Sequence, residues 1–228
     1  MDTRRQFLKK ISKAVTFLGM LYMPFATGMR WAWSKTQKII LPKGTKREAL
    51  IEKNPADLDT RNLEITPLND FETMGLIDHS VTLTNWHLEV KGHVDTMVFL
   101  TYQQIISLPY IQRNVLLICP GFFANHGQWR GVSIKQLLTM AELKKGATHV
   151  TIRGPKAPYE KVESLQRFPL ADINSDRVFL AYLVNGEILP EKHGFPVRVV
   201  AEGYYGYDWI KYVYSITAEK VIPPLRTK

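Results

Sequence analysis

Among the 228 residues of the chain there is one cysteine, Cys119. No disulfide can form within the chain, so this thiol is a reactive group, a soft metal ligand or a small buried hydrophobe. Cys119 ends the apolar run Val115 to Ile118 and precedes Pro120-Gly121. That pattern reads as a buried strand stopping at a turn, with the thiol at the strand's mouth. Strand ends are common positions for active-site groups. The bland alternative, a packed core thiol, stays open on position alone.

Several elements must place that thiol. Trp86, Leu88 and Val90 alternate with His87, Glu89 and Lys91 before Gly92, the period of a half-buried strand. Thr101-x-x-Gln104 is a capping box ahead of Tyr102, Ile105 and Ile106, and Pro109 stops that short helix. Ser133 and Gln136 repeat the spacing before Ile134, Leu137, Leu138 and Ala141, a helical set. His149 to Ile152 reads as a strand. Val178 to Val184, Asn185-Gly186 and Glu187 to Leu189 read as a hairpin with a type I′ turn. Val197 to Ala201 and Trp209 to Thr217 supply two more strands. Strands outnumber helices without βαβ alternation or a fixed repeat, so the expected class is α+β with a mixed sheet. Residues 29–60 show no sustained period and read as a connector, leaving one domain over 61–228.

With 45% hydrophobic and 22% charged residues, the composition excludes a disordered or collagen-like chain. The net charge is +9, but Arg4, Arg5, Lys9, Lys10 and Lys13 against Asp2 concentrate much of it at the start. The remainder forms no basic stripe, so nucleic acid is not an expected partner. The apolar run Ala14–Ala26 has only 13 residues, with Thr16 and Pro24 inside it, short of the roughly 20 that a spanning helix needs. Thr3 to Lys10, TRRQFLKK, followed by that run and by small residues near Gly28, has the order of an export signal and resembles the bacterial twin-arginine type. Residues 1–28 are thus expected to be a twin-arginine signal or anchor. Met23, three places before Ala26, suits cleavage poorly, so an uncleaved anchor stays open. Export in the folded state suggests a cofactor inserted in the cytoplasm, and an unpaired thiol outside the cytoplasm calls for a role.

Five places in order then point to one family. Cys119 is followed by Pro-Gly, then by Trp129-Arg130-Gly131-Val132 and the capped helix with Leu137-Leu138. Asn69 to Gly75 reads NDFETMG, and Trp86 to Gly92 follows it. Leu180 to Arg198 reads LAYLVNGEILPEKHGFPVR, and Gly203 to Ile216 reads GYYGYDWIKYVYSI. Over roughly residues 65 to 217 this resembles the molybdopterin-binding domain of the sulfite oxidase family, with the Asn69 loop similar to its bacterial periplasmic methionine sulfoxide reductase branch.

The resemblance implies a sulfite oxidase-like α+β fold holding a molybdenum-molybdopterin cofactor. It implies Cys119 as the catalytic thiolate on the metal. Arg198 and His193 would hold the pterin phosphate, with Lys211 and the backbone of Trp209 and Ile210 completing that anion site at the start of the last strand. A guanidinium grips a phosphate through two hydrogen bonds, which favours Arg198. Asn69 would bond the cofactor, with Glu72 and Thr73 beside it. Two departures leave the substrate open. Phe122 and Phe123 stand where sulfite oxidases carry a polar, arginine-containing run, and Gly154 stands near the cofactor where the sulfoxide reductase branch has a hydroxyl residue. His126 and Arg130 either line the anion entrance or coat a loop. The set Tyr204, Tyr205, Tyr207, Trp209 and Tyr212 reads as packing rather than an electron path.

The function implied is an exported, periplasmic oxidoreductase that passes an oxygen atom to or from a small sulfur-containing substrate, by sulfoxide reduction or sulfite oxidation. One cysteine cannot supply C-x-x-C-H, so electrons are expected to come from a separate partner, with a membrane haem subunit as the candidate and the twin-arginine translocase as the delivery partner. A monomer or a subunit of a membrane complex is expected. The alternative is a non-enzymatic exported binding module that keeps the fold without the metal.

Overall fold

Strands dominate the computed structural model, which describes residues 38–156 and 163–220. In chain order they are β1 (Ile39–Ile40), β2 (Leu58–Asp59), β3 (Leu88–Gly92), β4 (Val98–Leu100), β5 (Tyr110–Cys119), β6 (Phe123–Val132), β7 (His149–Lys156), β8 (Glu163–Pro169), β9 (Val178–Val184), β10 (Glu187–Ile188), β11 (Arg198–Ala201) and β12 (Ser215–Glu219). Short α-helices span Tyr102–Ser107, Ile134–Met140 and Leu170–Asn174.

Two five-stranded sheets form the body. In the first, β5, β6 and β9 are neighbours in that order, and β10 and β11 both pair with β9. All of these pairings are antiparallel. The second sheet runs β4-β3-β12-β7-β8 and is mixed, because β12 lies parallel to β3 and antiparallel to β7. Both sheets feed one apolar core with the first two helices, through residues such as Leu88, Ile105, Leu137, Ile152, Phe179 and Ile216. The α+β class with a mixed sheet is therefore what the chain adopts.

β5 explains why its sequence is continuously apolar rather than alternating. Val115 and Leu117 face the main core, while Leu116 and Ile118 face a second cluster with Leu41, Leu50, Leu58 and Leu63. A strand covered on both faces reads as an apolar run. Those partners also change the reading of residues 39–60. That part of the expected connector carries a parallel β1–β2 pair and packs its leucines onto the outer face of β5.

The local signals hold where chemistry is local. Thr101 and Gln104 form the reciprocal capping box, and Ser133 Oγ accepts from Gln136 N. Asn185 and Gly186 take φ of 52° and 84° between β9 and β10, as the primed turn requires. Three expectations are corrected. Trp209 to Tyr214 is not strand, and β12 starts only at Ser215; the preceding stretch instead hydrogen-bonds along β11, with Val199 N to Ile210 O at 2.8 Å and Val213 N to Val197 O at 2.9 Å. His126 and Arg130, read as lining an anion entrance or coating a loop, instead sit within a full strand, residues 123–132. Finally, β8 and the helix Leu170–Asn174 add elements not expected from periodicity. The twin-arginine leader lies outside the described residues, and among the described residues no helix is long and apolar enough to cross a membrane.

Candidate active site

The β5–β6 hairpin delivers the thiol. Cys119 is the last residue of β5 and pairs with Phe123 across the Pro120-Gly121-Phe122 turn. It is partly exposed and opens into a cleft of about 270 Å³. Phe123, Asn125 and Trp129 project from β6 into the same cleft, two or four residues apart as one face of a strand demands. The opposite face carries His126 and Arg130. His126 is buried, with Nδ1 against the Glu64 carbonyl and its backbone N donating to Thr66 Oγ1, and the Arg130 guanidinium lies over the Tyr110 ring and bonds Gln112. Neither lines the cleft, so the open question about that pair resolves against an anion entrance. Burial pushes the Cys119 thiol above its ordinary pKa.

Three basic side chains converge in the same cleft. His193 ends a 3₁₀ turn, Arg198 starts β11, and Lys211 sits in the segment running beside β11. Gly194, at φ 108°, makes this convergence possible, since a Cβ there would press within 3.1 Å of both Arg198 and Lys211. Arg198 is 5% exposed. It donates from Nε to Val199 O and from Nη1 to His193 O, and its guanidinium lies 5.2 Å from the Trp129 ring and 5.5 Å from the Trp209 ring. Lys211 Nζ donates to Thr73 Oγ1 at 3.2 Å and Lys192 O at 3.1 Å. Among the described residues, no carboxylate pairs with any of the three.

Burial without a counter-ion shows in the titration of all three. Desolvation, then Arg198, Lys192 and Lys211, drive His193 down to about 4. Desolvation followed by Arg198 drives Lys211 down to about 7. Burial brings Arg198 down to about 10. In addition, His193 Nε2 is buried without a hydrogen-bond partner. A native protein seldom leaves such groups unmatched; they match an anion bound in the cleft.

Of the residues singled out from the sequence, Cys119, Glu72, Thr73, His193, Arg198, Trp209, Ile210 and Lys211 line one cleft. Asn69 does not. It is exposed in the turn Leu68–Asp70, just before the lining loop. Gly154 lies behind the lining, where a Cβ would come within 2.4 Å of Lys211 O. Sequence reasoning missed Asn125 and Trp129 as cleft residues. Their strand reads as polar, and only its pairing with β5 reveals which face they share.

The family profile of the oxidoreductase molybdopterin-binding domain matches residues 75–222. The chain belongs to that family. Its members bind molybdopterin and are oxidoreductases, so the enzymatic reading stands over the non-enzymatic binding module. The chain is 32% identical over 162 residues to an NADH nitrate reductase of Volvox carteri, covering 59% of this chain and 19% of that protein. It is 27% identical over 147 residues to the uncharacterized oxidoreductase YuiH of Bacillus subtilis, covering 64% and 71%. The sulfane dehydrogenase SoxCD of Paracoccus pantotrophus shares the fold, with a TM-score of 0.62 at 20% identity over 85% of this chain and 53% of that one. The chain thus spans about a fifth of the length of the nitrate reductases it matches.

The molybdopterin cofactor fits the residues present. One cleft offers a soft sulfur donor and an uncompensated buried guanidinium, and the cofactor carries a metal for the first and a phosphate for the second.

Proposed function

We propose that this molybdopterin-binding domain is an exported oxidoreductase that transfers an oxygen atom to or from a small sulfur-containing substrate, reducing a sulfoxide or oxidising sulfite. The observation that carries the reading is the cleft that joins Cys119 to the buried, unpaired Arg198. When bound, the molybdenum cofactor supplies a two-electron couple at a site for oxygen-atom transfer. Sulfoxide reduction takes up two electrons and two protons and releases water; sulfite oxidation takes up water and releases the same electrons and protons.

The chain's own residues bind and orient. Cys119 holds the metal as a thiolate, a state that burial alone disfavours and a cation restores. Arg198 grips the phosphate, flanked by His193, Lys211 and the backbone of Trp209 and Ile210. The Trp129 and Trp209 rings fix the guanidinium by stacking beside it. Glu72 and Thr73 wall the cleft, Asn69 begins the loop that carries them, and Gly154 lets β7 approach Lys211 closely.

Electrons pass to or from a separate redox partner, with a membrane haem subunit the favoured candidate. Residues 1–28 direct twin-arginine export to the periplasm and either are cleaved or persist as an anchor. Replacing Arg4 and Arg5 by lysine should leave the protein in the cytoplasmic fraction; unchanged periplasmic recovery would overturn the route.

The first test is metal content by mass spectrometry on protein from a host competent in molybdopterin synthesis, with Cys119→Ser as control. Near one molybdenum per chain, lost or labile in the variant, is expected. Steady-state assays then compare methionine sulfoxide with a reduced dye and sulfite with an acceptor. Nitrate is the second reading, favoured by the identity to the Volvox nitrate reductase, and forms the third assay. Turnover of nitrate alone would replace the sulfur substrate; turnover of none would end both readings.

A further inference from the structure

The loop from Phe71 to Leu76 is pinned on both sides of an exposed thioether. Asn125, the third residue of β6 and only 2% exposed, ties its amide to this loop. Its Oδ1 accepts from Glu72 N at 3.3 Å and its Nδ2 donates to Glu72 O at 2.8 Å. Thr73 is tied through Oγ1 to Lys211 Nζ and Lys192 O. Beyond Gly75, which turns the chain at φ 81°, Leu76 O accepts from Tyr212 Oη at 3.2 Å. Met74 lies between these anchors, 45% exposed, with Sδ 3.9 Å from Cys119 Sγ.

The loop brings no cation of its own to the thiol. Met74 is its contact with Cys119, Phe123 pairs with Cys119 across the hairpin, and the one charged residue of the loop, Glu72, is an acid. Lys211 is tied to Thr73 and the Lys192 carbonyl. If the basic groups of the cleft hold a phosphate, a molecule approaching Cys119 past this loop meets a polarisable thioether first.

We infer that Met74 is a specificity-determining wall beside Cys119, selecting uncharged, polarisable substrates over oxyanions, and that Asn125 is the positioning residue that holds it there. The choice of substrate deepens the proposed function and rests on it; the placement of Met74 over the thiol does not.

The test therefore has two arms. In the first, the full metal-free chain is alkylated at Cys119 with iodoacetamide under native conditions, folding being checked by circular dichroism. Met74→Ala and Asn125→Ala should each react about fivefold faster than wild type, the scale expected when one hydrogen bond or one covering side chain is lost. Because Asn125 acts through Met74, the double variant should react no faster than Met74→Ala alone. Unchanged rates in both single variants, or effects that multiply in the double, would overturn the inference, and Asn125→Asp, which keeps the acceptor for Glu72 N, should fall between. In the second arm, Met74→Lys in the loaded enzyme should shift the ratio of kcat/KM for sulfite or nitrate over sulfoxide by about tenfold toward the anion. An unchanged ratio would refute the selection by charge. Turnover of none of these substrates would sink the proposed function, while the alkylation arm still decides the placement.

Discussion

Arg198 Nη1 donates to the carbonyl of His193, five residues earlier, at 3.0 Å. The bond closes the His193–Arg198 loop around a cation that has no carboxylate partner among the described residues. Two basic groups are thereby held together in a buried place, an arrangement that costs free energy in the empty protein and is offset when an anion binds.

Arg198→Met follows from that balance. Replacing an unpaired buried ion by an apolar side chain of similar reach is expected to stabilise the metal-free chain by about 1 kcal/mol. The same change removes the two-pronged donor and should cut cofactor retention at least about tenfold. Thermal unfolding of the metal-free chain and molybdenum per chain measure the two effects. A variant that loses both stability and cofactor would show Arg198 to be structural.

Acid should destabilise the metal-free chain through His193. Its native pKa is about 4, held down by burial and then by Arg198, Lys192 and Lys211, whereas an unfolded histidine titrates near 6.5. Between those values the unfolded state binds the additional proton, so this contribution is intact above pH 6.5 and is lost as the pH falls toward 4. Comparing denaturant midpoints from pH 7 to 4 for wild type and His193→Gln checks it, the variant giving the flatter profile.

Lys211 works in the alkaline window. Its native pKa of about 7 lies below the unfolded value near 10.4, so the unfolded chain binds more protons between them and stability should rise with pH from 7 to 9. Lys211→Met should remove that slope. An identical slope in the variant would mean that Lys211 is not the group responsible.

Gly154→Ala probes how the second sheet seats the anion site. The added methyl would meet Lys211 O at 2.4 Å and Ile210 Cγ2 at 2.7 Å, and overpacking of this kind costs about 2 kcal/mol. Thermal unfolding should fall accordingly, with cofactor content falling alongside it because Lys211 is displaced. Normal stability and occupancy would show that β7 yields without moving the site.

Much of this protein was legible without coordinates because the signals are local. The Thr101 capping box, the Asn185-Gly186 turn and the apolar run into Cys119 each depend on residues within one turn or one strand. The ordered motifs around Cys119, His193, Arg198 and Lys211 likewise named the thiol and the basic groups that line the cleft. What sequence alone left undecided depends on pairing between distant segments. β6 carries Asn125, His126, Gly127 and Gln128 in succession, a polar stretch with weak strand preference, and becomes a central strand only because β5 and β9 flank it. Its register then decides that Asn125 and Trp129 face the cleft while His126 faces the other way. The fate of Trp209 to Tyr214 was equally non-local, since hydrogen bonds to β11 override its strand-like composition and draw Lys211 toward Arg198. Residue types and spacing determined the chemistry available to the chain; burial and strand pairing, which bring residues from across the chain into one cleft, decided which groups share it and which remain without a counter-charge.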